Sequence, residues 1–397
     1  MDGFTLFEGY NEEKKYSCVS CGLYKYCSSP KMPPTGKFKK KILIIGSSPA
    51  QIDDVHGQHF VGKDGRSLKK ILERNNISLE EDCLSVNAVR CFTKNDISKI
   101  NLEACRSKTI QVIEQHKPHI IILVGNLAIQ SVIAYRWKKN FDKIDKWRGH
   151  IIPDQDFMAW VCPVYDPATF YKNEIEATTI LENDIAAIAS KLHKKVPVCK
   201  EPDIEQITDL SPLNNIKTGE VAFDYETTGL KPHAKGHRII CASVADTPDH
   251  VYTFLMPASH KKRKPFVDLL QRRAVYKMAH NMKFEDNWTN VKLGISIDGW
   301  MFDSQIAAHQ IDNRAGITGL KFQTYVRLGV VDYDSDVSPF LKSVDGTSNG
   351  FNRIIEFMNK NKENEEKVLK YCAYDSVYEY RIAMMQKKEM GYDFLPF

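Results

Sequence analysis

No run of apolar residues in this chain of 397 approaches the ~20 needed to cross a bilayer. Its opening stretch, MDGFTLFEGYNEEKKY, lacks the apolar core of a secretory signal. Both absences lead us to expect a cytoplasmic protein with no membrane partner (host cytoplasm if the source is viral). There is no internal repeat and no low-complexity tract, which excludes solenoids and arrays. Cysteine is scarce after residue 200, where only Cys241 and Cys372 occur, against eight before it. Ten cysteines in a reducing compartment are not expected to pair as disulfides, so their crowding into the first half points to another task for the thiols there. A strong charge imbalance is missing too. The net charge of +5 permits nucleic-acid binding without requiring it.

What remains is globular. A hydrophobic content of 43% with 26% charged residues supports packed cores, and the length suggests two of them. In the first half, short β-branched runs alternate with helical periodicity: Lys41–Gly46, Leu84–Val89, His119–Gly125 and Ala159–Val164 read as strands. Helices fall at about Arg66–Asn75, Leu102–His116, Asn126–Trp137 and Pro167–Leu192. Continuous apolar strands between helices predict a parallel sheet covered on both faces, with its ligand crevice at the carboxyl ends of the strands. A proline-bearing stretch follows and reads as a linker. The second half begins with strands at Glu220–Asp224, Ile239–Ala245, Val251–Leu255 and Val275–Ala279, then turns mostly helical. The expected fold class is therefore α/β, with an α/β/α domain over 1–192, a linker over 193–214 and a mixed-sheet domain over 215–397.

The second half carries the clearer chemistry. FDYETTGL places Asp224 and Glu226 two residues apart on a strand, so both side chains leave the same face. Two such carboxylates repel unless a cation lies between them. In YCAYD, Tyr371 and Asp375 are four apart and share one helical face. AHNMKFEDNW lies between these segments. Any one carboxylate alone would read as solvated surface, but the three segments together closely resemble the proofreading 3′→5′ exonuclease domain of family A DNA polymerases, of the DEDD type with a tyrosine. The resemblance implies a ribonuclease-H-like fold and hydrolysis of a 3′-terminal phosphodiester with two Mg²⁺ or Mn²⁺ ions. It also implies Asp224, Glu226 and Asp375 as metal ligands, Tyr371 orienting the attacking water, Leu230 wedged on the terminal base and Asn281 at the substrate. The family's His-Asn-x-Lys-Phe-Asp departs here to Glu285 followed by Asp286. Glu285 falls on the helix face of Asn281, and Asp286 lies ~100° further round, held as the alternative. Asp303, opening DSQIAAHQ, reads as a helix N-cap.

In the first half, Cys18-x-x-Cys21 has metal-ligand spacing, and Cys91 and Cys105 follow at a distance. With ILIIGSSPAQIDDVHGQHFVGKDGRSL, SVNAVRC, RGHIIP and CPVYDPAT, these segments resemble the family 4 uracil-DNA glycosylases. That resemblance implies a [4Fe–4S] cluster on Cys18, Cys21, Cys91 and Cys105, leaving zinc or free thiols as alternatives. It implies a base pocket in which Phe60 stacks and Asn87 reads the base edge. The family's Gly-Glu-Ala-Pro-Gly is Gly46-Ser47-Ser48-Pro49-Ala50 here, and its His-Pro-Ala is Asp166-Pro167-Ala168. The water-activating carboxylate is thus a serine, and an aspartate replaces the histidine that would stabilise negative charge; Asp53 and Asp54 lie near enough to be considered as substitutes.

The expected function is a 3′→5′ DNA exonuclease linked to a glycosylase-like DNA-binding domain, acting on single-stranded 3′ ends. A phage-type replicative polymerase is the implied setting, with this chain a split gene product or a fragment beside a polymerase polypeptide or other replisome proteins. Alternatives are an active uracil-DNA glycosylase with an accessory nuclease, a replisome adaptor without activity, and an exoribonuclease. The basic stretches Lys37–Lys41 and His260–Lys264 read as solvated charged loops.

Overall fold

The computed structural model describes residues 16–134, 136, 137, 141, 143–168 and 174–392. Residues 1–15, Thr169 of the CPVYDPAT stretch, and 393–397 therefore lie outside the described residues. Two compact units divide the chain: Met1–Cys199 with Tyr325–Val331, and Lys200–Thr324 with Asp332–Phe397.

The first unit holds a five-stranded sheet of β1 (Ile42–Gly46), β2 (Cys83–Asn87), β3 (Ile120–Val124), β4 (Ile152–Asp154) and β5 (Ala159–Val164), in the order β2-β1-β3-β5-β4. All pairings but one are parallel, and every residue of β1, β2, β3 and β5 is buried, as two covered faces require. The exception is β4, which joins β5 antiparallel at the edge. This three-residue strand was not expected, because so short a run leaves no periodic signal. The helices are α1 (Cys18–Cys21), α2 (Gln51–His56), α3 (Lys63–Arg74), α4 (Lys99–His116), α5 (Asn126–Val132), α6 (Ile144–Trp147) and α7 (Glu174–Ala189). Leu68, Ile71 and Leu72 of α3 and Leu181, Ile185 and Ile188 of α7 pack on Ile42, Ile44, Ile120 and Ile122. The helix expected to reach Trp137 ends at Val132.

The second unit is built on a six-stranded mixed sheet. Its strands are β6 (Asp203–Gln206), β7 (Gly219–Thr227), β8 (Ile239–Thr247), β9 (His250–Leu255), β10 (Val275–Ala279) and β11 (Trp300–Asp303), in the order β11-β10-β7-β8-β9-β6. β7, β8 and β9 are antiparallel, while β10 and β11 continue parallel from β7. The helices are α8 (His260–Leu270), α9 (Met282–Leu293), α10 (Ser304–Ile311), α11 (Leu320–Leu328, of which Tyr325–Leu328 is counted with the first unit), α12 (Ile354–Met358) and α13 (Lys362–Glu389).

Two expectations need correction here. The stretch 193–214 is not a bare linker, because β6 pairs with β9 and Leu210 and Leu213 join the core. Its prolines flank the strand instead of interrupting it, and an edge position tolerates them. His260–Lys264 is the first turn of α8 and not a loop. The helix continues into Phe266, Leu269 and Leu270, which are buried and hold it to the sheet.

Alternation along β7 places the site. Val221, Phe223 and Tyr225 face a core containing Phe266 and Trp288, so Asp224 and Glu226 emerge on the other face. α13 covers that face. The Ser243 hydroxyl on β8 donates to the Cys372 carbonyl at 2.7 Å, and Thr253 on β9 donates to the Leu369 carbonyl at 3.1 Å. These bonds fix where α13 lies over the strands.

Candidate active site

On that shared face Asp224, Glu226 and Asp375 offer ligand atoms all within 4.8 Å of one another. Among the described residues this is the one such group of three or more. Burial first, then mutual repulsion, pushes the carboxyls of Asp224 and Glu226 well above the usual range. Such a set is stable either as neutral acids or around a cation, and hard carboxylate oxygens suit a divalent ion. Tyr371 lies one turn before Asp375 and is buried, so its hydroxyl is pushed well above its ordinary value and stays protonated. Leu230, just beyond β7, is 59% exposed and free to meet a substrate.

The middle motif separates its two carboxylates. Asn281 has φ of +73°, a left-handed conformation that asparagine tolerates better than most residues, and it starts α9. The Asp303 carboxylate holds this turn, accepting from Asn281 N at 3.2 Å and Met282 N at 2.9 Å. The same carboxylate caps α10, taking Gln305 N at 2.9 Å and Ile306 N at 3.2 Å. Glu285 is 2% exposed, with Oε2 lacking a hydrogen bond. Burial, followed by the charge of Asp224, pushes its carboxyl well above the usual range. Asp286 instead accepts from the Trp300 indole at 3.1 Å.

Residues that the sequence reading overlooked crowd the same site. Lys321 of α11 donates to Asp375, and the Tyr333 hydroxyl donates to the same oxygen at 2.8 Å. A lone lysine in an amphipathic helix reads as solvated, so nothing in the pattern singled it out. Glu379 is 1% exposed, accepts from Ser304, and is pushed up to about 8 chiefly by burial. Its spacing, four after Asp375, was the available signal.

In the first unit a small cavity of about 70 Å³ opens at the carboxyl ends of β1, β2 and β3. Ser47, Asp64, Phe60, Asn87 and Asp166 are among its lining residues. Phe60 is left-handed at φ +60°, strain that a functional position commonly stores. A Cβ on Gly46 would lie 2.3 Å from Asn87 Oδ1 and 2.8 Å from the Phe60 ring, so only glycine leaves room for both. His59, unforeseen, orients the amide: its Nε2 lies 3.0 Å from the Pro33 carbonyl and its Nδ1 3.0 Å from Asn87 Nδ2. Burial pushes His59 down to about 4, so the ring is neutral, with Nε2 donating and Nδ1 accepting. Asp166 is pushed up by burial first, while the Ser47 hydroxyl bonded to it opposes that shift. Asp53 lines this cavity as well, whereas Asp54 does not, and both carboxylates are engaged by backbone N–H groups. Asp53 accepts from Ala50 N, Val61 N and Gly62 N, and Asp54 from Ser28 N and Ser29 N.

Cys18, Cys21, Cys91 and Cys105 line another cavity, of about 360 Å³, together with Arg90, Lys31 and Lys108. Lys31 N donates to Cys91 Sγ at 3.3 Å and Asn101 Nδ2 to Cys21 Sγ at 3.2 Å. Burial pushes Cys91 and Cys105 up to about 11. No three of the thiols meet within 4.8 Å. Four soft thiol donors lining one cavity are a donor set that zinc and iron–sulfur clusters both take.

The profile described as Uracil DNA glycosylase superfamily matches residues 33–188, and that described as 3′-5′ exonuclease matches 203–390. A type-4 uracil-DNA glycosylase of Pyrobaculum aerophilum is 30% identical over 158 residues, covering 38% of this chain and 78% of that protein. The chain belongs to the uracil-DNA glycosylase superfamily through its first half, and its second half is similar to the 3′-5′ exonucleases. Phe60, Asn87, Ser47 and Asp166, which line the small cavity, all fall within the matched residues 33–188. The exonuclease half is 26% identical over 156 residues to a DNA polymerase I of Chloroflexus aurantiacus, spanning 36% of this chain and 16% of that polymerase. Brucella melitensis NrnC with bound Mg²⁺ is a similar solved structure, 21% identical, at a TM-score of 0.35 over 49% of this chain and 82% of that one. The described residues contain no helix long and apolar enough to cross a membrane.

Proposed function

We propose that this protein is a metal-dependent 3′→5′ exodeoxyribonuclease that trims single-stranded 3′ ends during DNA replication. Its glycosylase half serves as a DNA-binding companion that does not excise uracil. The convergence of Asp224, Glu226 and Asp375 beside Tyr371 carries the reading.

Asp224, Glu226 and Asp375, with Glu285 as the fourth carboxylate, would hold two Mg²⁺ or Mn²⁺ ions, which polarise the phosphoryl oxygen and acidify water. Tyr371, protonated at working pH, orients the attacking water by hydrogen bonding and does not act as base. Leu230 packs against the terminal base, and Asn281 meets the terminal nucleotide.

In the first half, Asn87 Oδ1, fixed by His59, presents an acceptor to a flipped base while Phe60 offers a stacking face. Ser47 cannot activate water as a carboxylate does, and Asp166 opposes negative charge on a departing base. Cys18, Cys21, Cys91 and Cys105 would hold a [4Fe–4S] cluster, whose charge Arg90, Lys31 and Lys108 offset. The likeness to a polymerase I favours DNA over RNA and a polymerase polypeptide as partner.

Digestion of a 5′-labelled single-stranded DNA oligonucleotide with Mg²⁺ tests the main reading. Stepwise shortening is expected, and its loss in Asp224→Ala. Shortening that persists in Asp224→Ala refutes the site, and an inert parent protein refutes the nuclease.

A further inference from the structure

A positively charged side chain already occupies the acidic site. Lys321 projects from α11 and donates to Asp375 Oδ1, the oxygen that also takes the Tyr333 hydroxyl at 2.8 Å. Its ammonium lies 4.2 Å from the centroid of the Tyr333 ring and 4.3 Å from that of Tyr371. The two partners are enclosed, with side-chain exposures of 17% for Lys321 and 8% for Asp375. This is not the solvated surface pair whose contribution is close to nothing. The cation is buried against two aromatic faces, and its partner is one of three converging carboxylates.

We propose that Lys321 is a built-in counter-cation that a divalent ion must displace from Asp375, so that this lysine sets the metal concentration at which the exonuclease switches on. The inference rests on reading Asp224, Glu226 and Asp375 as metal ligands. Like charges a few ångström apart in a partly buried site repel strongly, and a divalent ion beside an ammonium doubles the repulsion between two single charges. Both cations therefore cannot keep Asp375 Oδ1. The four-carbon stem of lysine lets the ammonium move, and the rings of Tyr333 and Tyr371 can keep it once it has left the carboxylate. Lysine in this role restrains the repulsion among the acids when metal is scarce. It also moves occupancy of the site to a higher metal concentration than bare carboxylates would need.

The test is direct metal binding by the full chain, stripped with chelator and titrated with Mn²⁺ while free Mn²⁺ is followed by its electron paramagnetic resonance signal. Lys321→Met and Lys321→Gln are expected to bind Mn²⁺ at least tenfold more tightly than the parent. Lys321→Arg, which keeps the charge, is expected to stay within threefold. The melting temperature of the metal-free protein should fall in Met and Gln and recover on adding Mn²⁺. Unchanged or weakened Mn²⁺ affinity in folded Lys321→Gln, with the parent binding Mn²⁺, overturns the displacement role while leaving the metal site standing. A parent that binds no more Mn²⁺ than an Asp224→Asn, Asp375→Asn double variant overturns the metal reading, and this inference with it.

Discussion

The Asp303 carboxylate accepts the Asn281 backbone N–H at 3.2 Å, tying the start of α10 to the left-handed residue that launches α9. The N-cap foreseen at Asp303 thus serves two helices. It fixes the turn that leads into α9 and so to Glu285, whose carboxyl feels the charge of Asp224.

Replacing Asp303 by alanine should therefore harm catalysis more than it harms folding. Loss of the cap costs about 1–2 kcal/mol in stability. With Glu285 released from its approach, kcat should fall at least tenfold while KM for a 3′ end changes by less than threefold. Steady-state kinetics on a short oligonucleotide, with melting curves alongside, would separate the two effects. A loss confined to melting temperature would reduce Asp303 to an ordinary cap.

The neighbouring carboxylates should behave unequally. Glu285→Gln leaves shape intact but removes a carboxyl that can ionise beside a bound cation, and a hundredfold fall in kcat is expected. Asp286→Asn should cost about 1 kcal/mol or less through the Trp300 hydrogen bond and leave kcat within threefold. Reversed results would transfer the fourth-carboxylate role to Asp286.

The buried acids also set a pH dependence. Asp224, Glu226 and Glu285 have folded carboxyls well above the usual range, and Glu379 stands at about 8, with burial the largest cause in each. Between the unfolded values near 4 and these raised ones, the folded chain binds more protons than the unfolded chain. Stability is then greatest at the acid end of that window and falls as pH rises through it. The melting temperature of chelator-treated protein should drop from pH 5 to pH 8, with a shallower slope in Glu379→Gln. Mn²⁺ added at pH 8 should restore much of the loss. A flat or rising profile would contradict the burial argument.

For the first half, purified protein should release no base from uracil-containing DNA, as judged by alkaline cleavage at abasic sites. The double variant Ser47→Glu, Asp166→His should gain measurable excision, and adding Asn87→Ala should abolish it. Excision by the parent protein would mean that the pocket catalyses by another route.

Much of this was legible in the sequence because the chemistry is periodic. Asp224 and Glu226 sit at the strand spacing of two, Tyr371 and Asp375 at the helical spacing of four, and both pairs keep those positions in the fold. Strands such as β5 and β10 were readable from unbroken apolar runs. What escaped was short or relational. β4 and β11 are too brief to show a period, and β6 is mostly exposed and flanked by prolines. Lys321, Tyr333 and His59 gain their meaning only from partners 28 to 54 residues away, which no local pattern encodes.

Tyr371, Asp375 and Glu379 occupy successive turns of α13, pinned to the sheet through Cys372 and Leu369. The helix therefore works as a ruler with three marks, and its phase matters more than its length. One residue inserted between Tyr371 and Asp375 would turn every later mark by ~100° and carry Asp375 off the strand face. The same insertion after Glu379 would leave all three marks in place and displace instead the buried Ile382, Ala383, Gln386 and Lys387, so it should cost stability before it disturbs the acidic face.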